Sequence, residues 1–265
     1  MDELKARHRA LWALGDYPAV AADLIPSLGP ILVAATGIGP GQRVLDVAAG
    51  TGNVAIPAAL TGASVVASDL TPSLLEAGQK LAAARGAQLT WREADAEDLP
   101  FATGEFDVVV SCVGAMFAPH HRPTADEIVR VCRPGGTIGL ISWTPAGFVG
   151  QLFATMKPYV APPPPGVQPP PLWGTEEHLA TLFGDRVSGV VAEKRTVRID
   201  AFASGAAFRD YFKAAYGPTI AAYRGLADAP DRAAALDRDL AALGDGALAG
   251  GALEWEYLLW TGAVV

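Results

Sequence analysis

Between residues 42 and 143, short β-branched apolar runs alternate with stretches of helical periodicity. That alternation predicts an α/β sheet of parallel strands joined by right-handed helical crossovers. The strands are "QRVLDVA" (42–48), "SVVASDL" (64–70), "LTWREAD" (89–95), "FDVVVSCV" (106–113) and "TIGLISW" (137–143). Between them, "NVAIPAALTG" (53–62) predicts a helix closed by Gly62, with Pro57 an awkward interior residue able to kink it. A second helix runs to about Arg85, with Thr71 as N-cap and Pro72 at its first position. "TADEIVRVC" (124–132) is a third, ended by "RPGG". Two Ala- and Leu-rich helices, 3–14 and 18–36, precede the sheet.

Beyond Trp143 the rhythm changes. Residues 148–160 carry apolar side chains at helical spacing, and "APPPPGVQPPPLWG" (161–174) follows as an extended, polyproline-like lid or loop that cannot form helix or strand. A helix at about 176–184, a strand at 189–200, helices within 204–242 and a closing strand at 253–262 complete the pattern. The two late strands most simply join the same sheet, which makes residues 1–265 one domain. Its parts are N-terminal helices (1–36), a core (40–145), a lid and cap region (146–250) and the closing strand (251–265).

Charge excludes several functions. The net charge is −8 with no Lys/Arg cluster, against a nucleic-acid or anionic-membrane partner. The start, "MDELKARHRA", is too charged for a signal peptide, and no apolar run reaches membrane-spanning length, so a cytoplasmic location is expected. Cys112 and Cys132 are expected to be reduced thiols. The excess of Arg over Lys, with abundant Ala, Gly and Pro, suggests a GC-rich bacterial source.

The stretch "VLDVAAGTGN" (44–53) is the chemical signal. After a buried strand, Gly50 and Gly52 permit a tight turn with no side chain between backbone and ligand. The helix starting near Asn53 presents unpaired N–H groups at its positive end. Taken alone, "GTGNVA" also matches the dinucleotide fingerprint G-x-G-x-x-A, and Asp69 follows at a distance suited to ribose hydroxyls.

The ordered series "VLDVAAGTGN … ASDLTPSLL … READAEDLPF … FDVVVSCVGAMF … RPGGTIGLISW" resembles the class I S-adenosylmethionine-dependent methyltransferases, in particular the ubiquinone/menaquinone-type and type 11 group. The resemblance covers about residues 40–145 and extends loosely to "LWALGDYPAVAADL". It implies a Rossmann-like, doubly wound, mostly parallel seven-stranded sheet with the last strand antiparallel, N-terminal helices and a C-terminal helical cap. It also implies S-adenosyl-L-methionine as cofactor. Asp46 and the backbone of Ala48, Gly50, Thr51 and Gly52, with Asn53, would hold the methionine part. Asp69 would bind the ribose, with Leu70 beside the adenine. Asp95 would take the adenine amino group, with Ala96 bordering the ring. Ser111 and Cys112 would line the region near the sulfonium. One departure stands out: where the family has the first glycine of its motif, this chain has Ala48, whose methyl narrows the approach.

An NAD(P)-dependent oxidoreductase fits the glycine turn, but the chain has no Tyr-x-x-x-Lys pair and no second nucleotide-binding half. A non-catalytic S-adenosylmethionine-binding protein would need less cap. A nucleic-acid amino-methyltransferase is disfavoured because the fourth strand ends in "SCVGAMF", not an Asp/Asn-Pro-Pro-aromatic clamp. His8, His120, His121 and His178 form no metal-binding spacing, and no metal is expected.

The acceptor is expected to be a small, at least partly apolar or aromatic molecule, held by aromatic residues of the least family-like segments. These are Trp12, Tyr17, Phe117, Phe148, Tyr211 and Tyr216, with Phe153, Met156, Tyr159, Phe208, Phe212 and Tyr223 as further members of the same faces. A hydroxyl acceptor would need to lose a proton. His120, just after the fourth strand, is the candidate base or orienting group, with His121 second. The segment 147–174 is expected to cover the acceptor site.

Overall fold

The apolar runs become seven strands of one sheet among the described residues, 3–265, of the computed structural model. They are β1 (Arg43–Val47), β2 (Ser64–Asp69), β3 (Thr90–Glu93), β4 (Phe106–Cys112), β5 (Cys132–Trp143), β6 (Val187–Ile199) and β7 (Leu253–Val264). The helices are α1 (Glu3–Trp12), α2 (Tyr17–Leu24), α3 (Leu28–Thr36), α4 (Ala55–Leu60), α5 (Pro72–Ala84), α6 (His121–Val131), α7 (Phe148–Met156), α8 (Glu176–Phe183), α9 (Gly205–Ala215), α10 (Gly217–Gly225) and α11 (Pro230–Leu248). No single helix among these residues is long and apolar enough to cross a membrane.

The spatial order is β3-β2-β1-β4-β5-β7-β6. Strands β1 to β5 run parallel, and β7 lies antiparallel between β5 and β6. Val44, Leu45, Val47, Val108 and Val110 are at most 1% exposed, as central strands covered on both faces require. The chain leaves β1 toward β2 on one side and returns to β4 on the other. The carboxyl ends of β1 and β4 therefore flank the crevice of a doubly wound sheet.

Several local expectations are corrected. The stretch 18–36 is two helices, α2 and α3, bent by 74° around Pro26, which has no N–H to continue the first. Pro57 does not kink α4, because it falls in the first turn, where an N–H would have no helical partner. "RPGG" belongs to β5, which starts at Cys132 and passes a register shift before its regular pairing with β4. Thr71 occupies the N-cap position of α5, but its side chain makes no capping bond. The proline segment does form helix at its end, a 3₁₀ turn over Pro170–Gly174 that buries Trp173 completely.

That turn docks on the start of α6. The Gln168 side-chain oxygen accepts from the His121 N–H at 3.2 Å, and the Trp173 ring meets the His121 ring edge-on at 5.6 Å. His121 is fully buried and its Nδ1 lies 2.8 Å from His178 Nε2. Burial, then repulsion from His178 and His120, holds His121 at about 3, well below its ordinary 6.5; burial also lowers His178. The unfolded chain thus binds protons that the folded one refuses. Stability should be fully present above pH 6.5 and fall as pH drops toward 3, by at most about 1.4 kcal/mol per pH unit from this group. Melting curves of wild type and His121→Leu across that window should show a shallower acid slope in the variant.

Candidate active site

The site is built at the tips of β1, β2 and β4. Ala48 and Gly50 take left-handed backbone conformations, φ 55° and 56°, and turn the chain out of β1 toward α4. Space beside Gly50 is open. Gly52, at φ 88°, faces away from the cleft, and a Cβ there would lie 2.8 Å from the Trp91 ring. Opposite, Val113 is also left-handed at φ 46°, and a Cβ on Gly114 would lie 2.2 Å from the Ala48 carbonyl oxygen. Two residues with side chains, Ala48 and Val113, thus hold a strained backbone where the two strand ends meet.

Two buried carboxyl groups hold this turn. Asp69 Oδ2 accepts from the Gly50 N–H at 2.8 Å and Oδ1 from the Thr71 N–H at 2.8 Å. Burial raises its pKa and these bonds oppose the rise. Asp46 Oδ2 accepts from the Ala55 N–H at 2.9 Å, at the start of α4, while Oδ1 has no partner. Burial pushes Asp46 up to about 8, with Asp69 adding to the shift. Ser111 Oγ donates to the Val47 carbonyl at 2.7 Å and accepts from the Ala115 N–H at 2.8 Å.

The resulting cleft follows the carboxyl edge of the sheet. Its floor contains Ala48, Gly50, Thr51, Asn53, Asp69, Leu70, Asp95, Ala96 and Cys112, nine of the residues expected to meet the cofactor. Asp46, Gly52 and Ser111 stand behind that wall, where they shape the turn and β4 tip without lining the cleft. The thiol of Cys112 is raised by burial. Cys112 and Cys132 are both free.

The roof departs further from expectation. It comes from α1 and α2, which supply Trp12 and Tyr17, and from the end of α9, which supplies Phe212 and Tyr216; Phe117 closes one side. The proline segment contributes nothing to the lining, and of 147–174 only Val149 reaches it. Phe148 is instead packed between Phe208 and Trp255 at 5.0 and 5.9 Å. Tyr211 donates to Asp23 at 2.8 Å and ties α9 to α2. His120 lies outside the lining, its Nδ1 2.9 Å from Glu97 Oε2, and His121 is sealed against His178.

Sequence reasoning missed Lys5, His8, Trp143 and Trp255, all of which line the cleft. Lys5 Nζ is buried between Asp95 Oδ1 at 2.7 Å and Glu97 Oε2 at 2.8 Å, and Arg9 pairs with Glu93 at 2.8 Å. These pairs fasten α1 over the β3 end. The available signal was the spacing of Lys5, His8 and Trp12 along one helix face. Burial, then Lys5, keeps His8 below its ordinary pKa. Among the described residues no group of three or more His, Cys, Asp or Glu could hold a metal ion.

A family model of the methyltransferase domain matches residues 44–136, the segment that builds this turn and the cleft floor. The Mycobacterium tuberculosis protein Rv1405c is 53% identical over 97% of this chain and 94% of its own length. The demethylmenaquinone methyltransferase of Clavibacter sepedonicus is 36% identical over 46% of this chain and 50% of its own. Residues 44–136 of the chain belong to the methyltransferase domain family. The YcgJ protein of Bacillus subtilis shares the fold, with a TM-score of 0.60 at 18% identity over 90% of this chain and 98% of that one.

In this methyltransferase the alanine at position 48 adopts the backbone that a glycine would hold without strain. Ala48→Gly should therefore raise stability by about 0.5–1 kcal/mol, the left-handed penalty less the entropy of a freer unfolded chain. Denaturant unfolding of the two proteins measures it.

Proposed function

We propose that the cleft holds S-adenosylmethionine and that the enzyme passes its methyl group to a small, partly apolar or aromatic acceptor. The observation that carries this reading is the cleft's division at the switch point, with bare backbone and carboxylates on one side and aromatic rings on the other. The cradle suits the cofactor. Gly50 leaves its side of the turn open, and Asp69 uses one lone pair on each oxygen for a backbone N–H, leaving others for ribose hydroxyls. The Lys5 ammonium and the Glu97 N–H both bind Asp95 Oδ1, so Oδ2 is left for an adenine amino group. Leu70 and Ala96 supply apolar edges for the base.

Bound there, the sulfonium supplies an electrophilic methyl group. The chain's own part is then to hold a nucleophile in line and to keep water out. Orientation of this kind is worth roughly 7–11 kcal/mol in well-aligned cases. α1, fastened by Lys5 and Arg9, supplies part of the cover. With His120 engaged by Glu97 and outside the lining, alignment rather than proton removal by that imidazole is the protein's main contribution. The net charge of −8 favours a small-molecule acceptor over nucleic acid.

S-adenosylhomocysteine should raise the melting temperature, by about 2.7 kcal/mol of stability at a hundredfold excess over Kd, and NADH should not. The opposite pattern would overturn the reading. Asp69→Asn, which keeps one acceptor for the turn, should weaken S-adenosylhomocysteine binding by about 1.5–3 kcal/mol in calorimetric titration.

A further inference from the structure

Charge in the cleft is confined to one end. Asp95 beyond β3 and Asp69 at the end of β2 stand there, with Lys5 held between Asp95 and Glu97. From β4 toward β5 and β7 the lining side chains carry no formal charge. They form instead a continuous chain of rings. Phe117 meets Trp12 at 4.7 Å and Trp12 meets Tyr17 at 5.5 Å. Tyr17 meets Tyr216 at 6.2 Å, Tyr216 meets Phe212 at 5.2 Å, and Phe212 meets Trp255 at 5.9 Å.

Several polar groups of this wall have no hydrogen-bond partner among the described residues, namely the enclosed Tyr17 hydroxyl and Trp255 indole N–H and the Tyr216 hydroxyl. Tyr216 lines the cleft and is 8% exposed, and among the described residues its hydroxyl makes no hydrogen bond. Its pKa is raised by burial alone, so the hydroxyl stays protonated and is a donor. The Tyr17 hydroxyl and the Trp255 indole N–H are both sealed in the packing, whereas the Tyr216 hydroxyl opens on the cleft. A hydroxyl that opens on an apolar cleft and is engaged by no protein group is free to donate to a bound molecule.

Resting on the methyltransferase reading above, we infer that the acceptor is a planar, uncharged molecule whose oxygen or unprotonated nitrogen takes a hydrogen bond from the Tyr216 hydroxyl. Planarity follows from the ring wall, whose faces and edges favour another aromatic surface. A carboxylate or phosphate would lose its water there and find no counter-charge, since Lys5 is engaged at the far end. A cationic acceptor would stand beside the sulfonium with no carboxylate in that half to offset the repulsion. Tyr216 thus sets specificity by rewarding one polar atom on an otherwise apolar ligand.

The test uses the full chain saturated with S-adenosylhomocysteine and three probes, naphthol, naphthoate and naphthalene, followed by quenching of tryptophan fluorescence and by calorimetry. Naphthol should bind at least roughly tenfold more tightly than naphthoate and roughly fivefold more tightly than naphthalene. In Tyr216→Phe, which keeps the ring, naphthol and naphthalene should bind alike, while S-adenosylhomocysteine affinity stays within about twofold of wild type. Naphthoate binding as tightly as naphthol, a naphthol preference that survives Tyr216→Phe, or no binding of any probe would overturn the inference. Failure of S-adenosylhomocysteine itself to bind would overturn the methyltransferase reading, and this inference with it.

Discussion

Two hydrogen bonds to one carboxylate organise this molecule: Asp69 ties the Gly50 N–H of the first turn to the Thr71 N–H at the start of α5. Without it, the turn after β1 would leave bare backbone donors at a buried strand end, where an unpaired N–H costs about 1–3 kcal/mol. Asp46 does the same for the start of α4. Two carboxyl groups so close and so buried would repel if both were ionised. The rise of Asp46 to about 8 leaves it largely protonated at neutral pH and relieves that conflict. The glycine-rich turn is thus not loose. Its ligand-facing backbone is free because the opposite side is clamped.

The cover over that turn has a different physical basis. α1 contributes a buried lysine held by two carboxylates and an exposed Arg9–Glu93 pair, so its attachment to the β3 end is mainly electrostatic. Because Lys5 is removed from solvent, its pairs are screened little by salt, unlike the Arg9 pair. At the other end the cover is held by ring contacts, from Trp12 through Tyr17 to Tyr216 and Phe212. The cleft is therefore closed by charge where its lining is polar and by aromatic packing where it is apolar.

The proline segment illustrates how a fold reassigns a conspicuous stretch of sequence. Its rigidity is spent on a buried Trp173 beside His121 and Phe183, and the Gln168 N–H donates to the Pro119 carbonyl at 3.1 Å. The segment supports the loop after β4 from outside. The same contacts seal His121 and leave His120 facing Glu97, away from the cleft lining.

What the sequence determined by itself was the parallel sheet and the glycine turn and carboxylate at its strand ends. Those follow from local rules: β-branched runs of strand length, helices that force crossovers, and glycines at a turn that needs left-handed backbone. Asp69 and the Ala48–Thr51 turn are legible because they stand at strand ends, whose positions the alternation defines, whereas Asp95 was implied by the family resemblance. Tertiary structure alone decided the aromatic half of the cleft. Trp143 and Trp255 read as strand core, and Phe148 and Tyr216 read alike as apolar helix residues, yet Phe148 fills the core and Tyr216 borders the cleft. Helical and strand periods reveal which side chains leave water. They do not reveal whether those side chains meet each other or the wall of a cavity, because both environments select the same apolar chemistry and differ only in how distant segments pack.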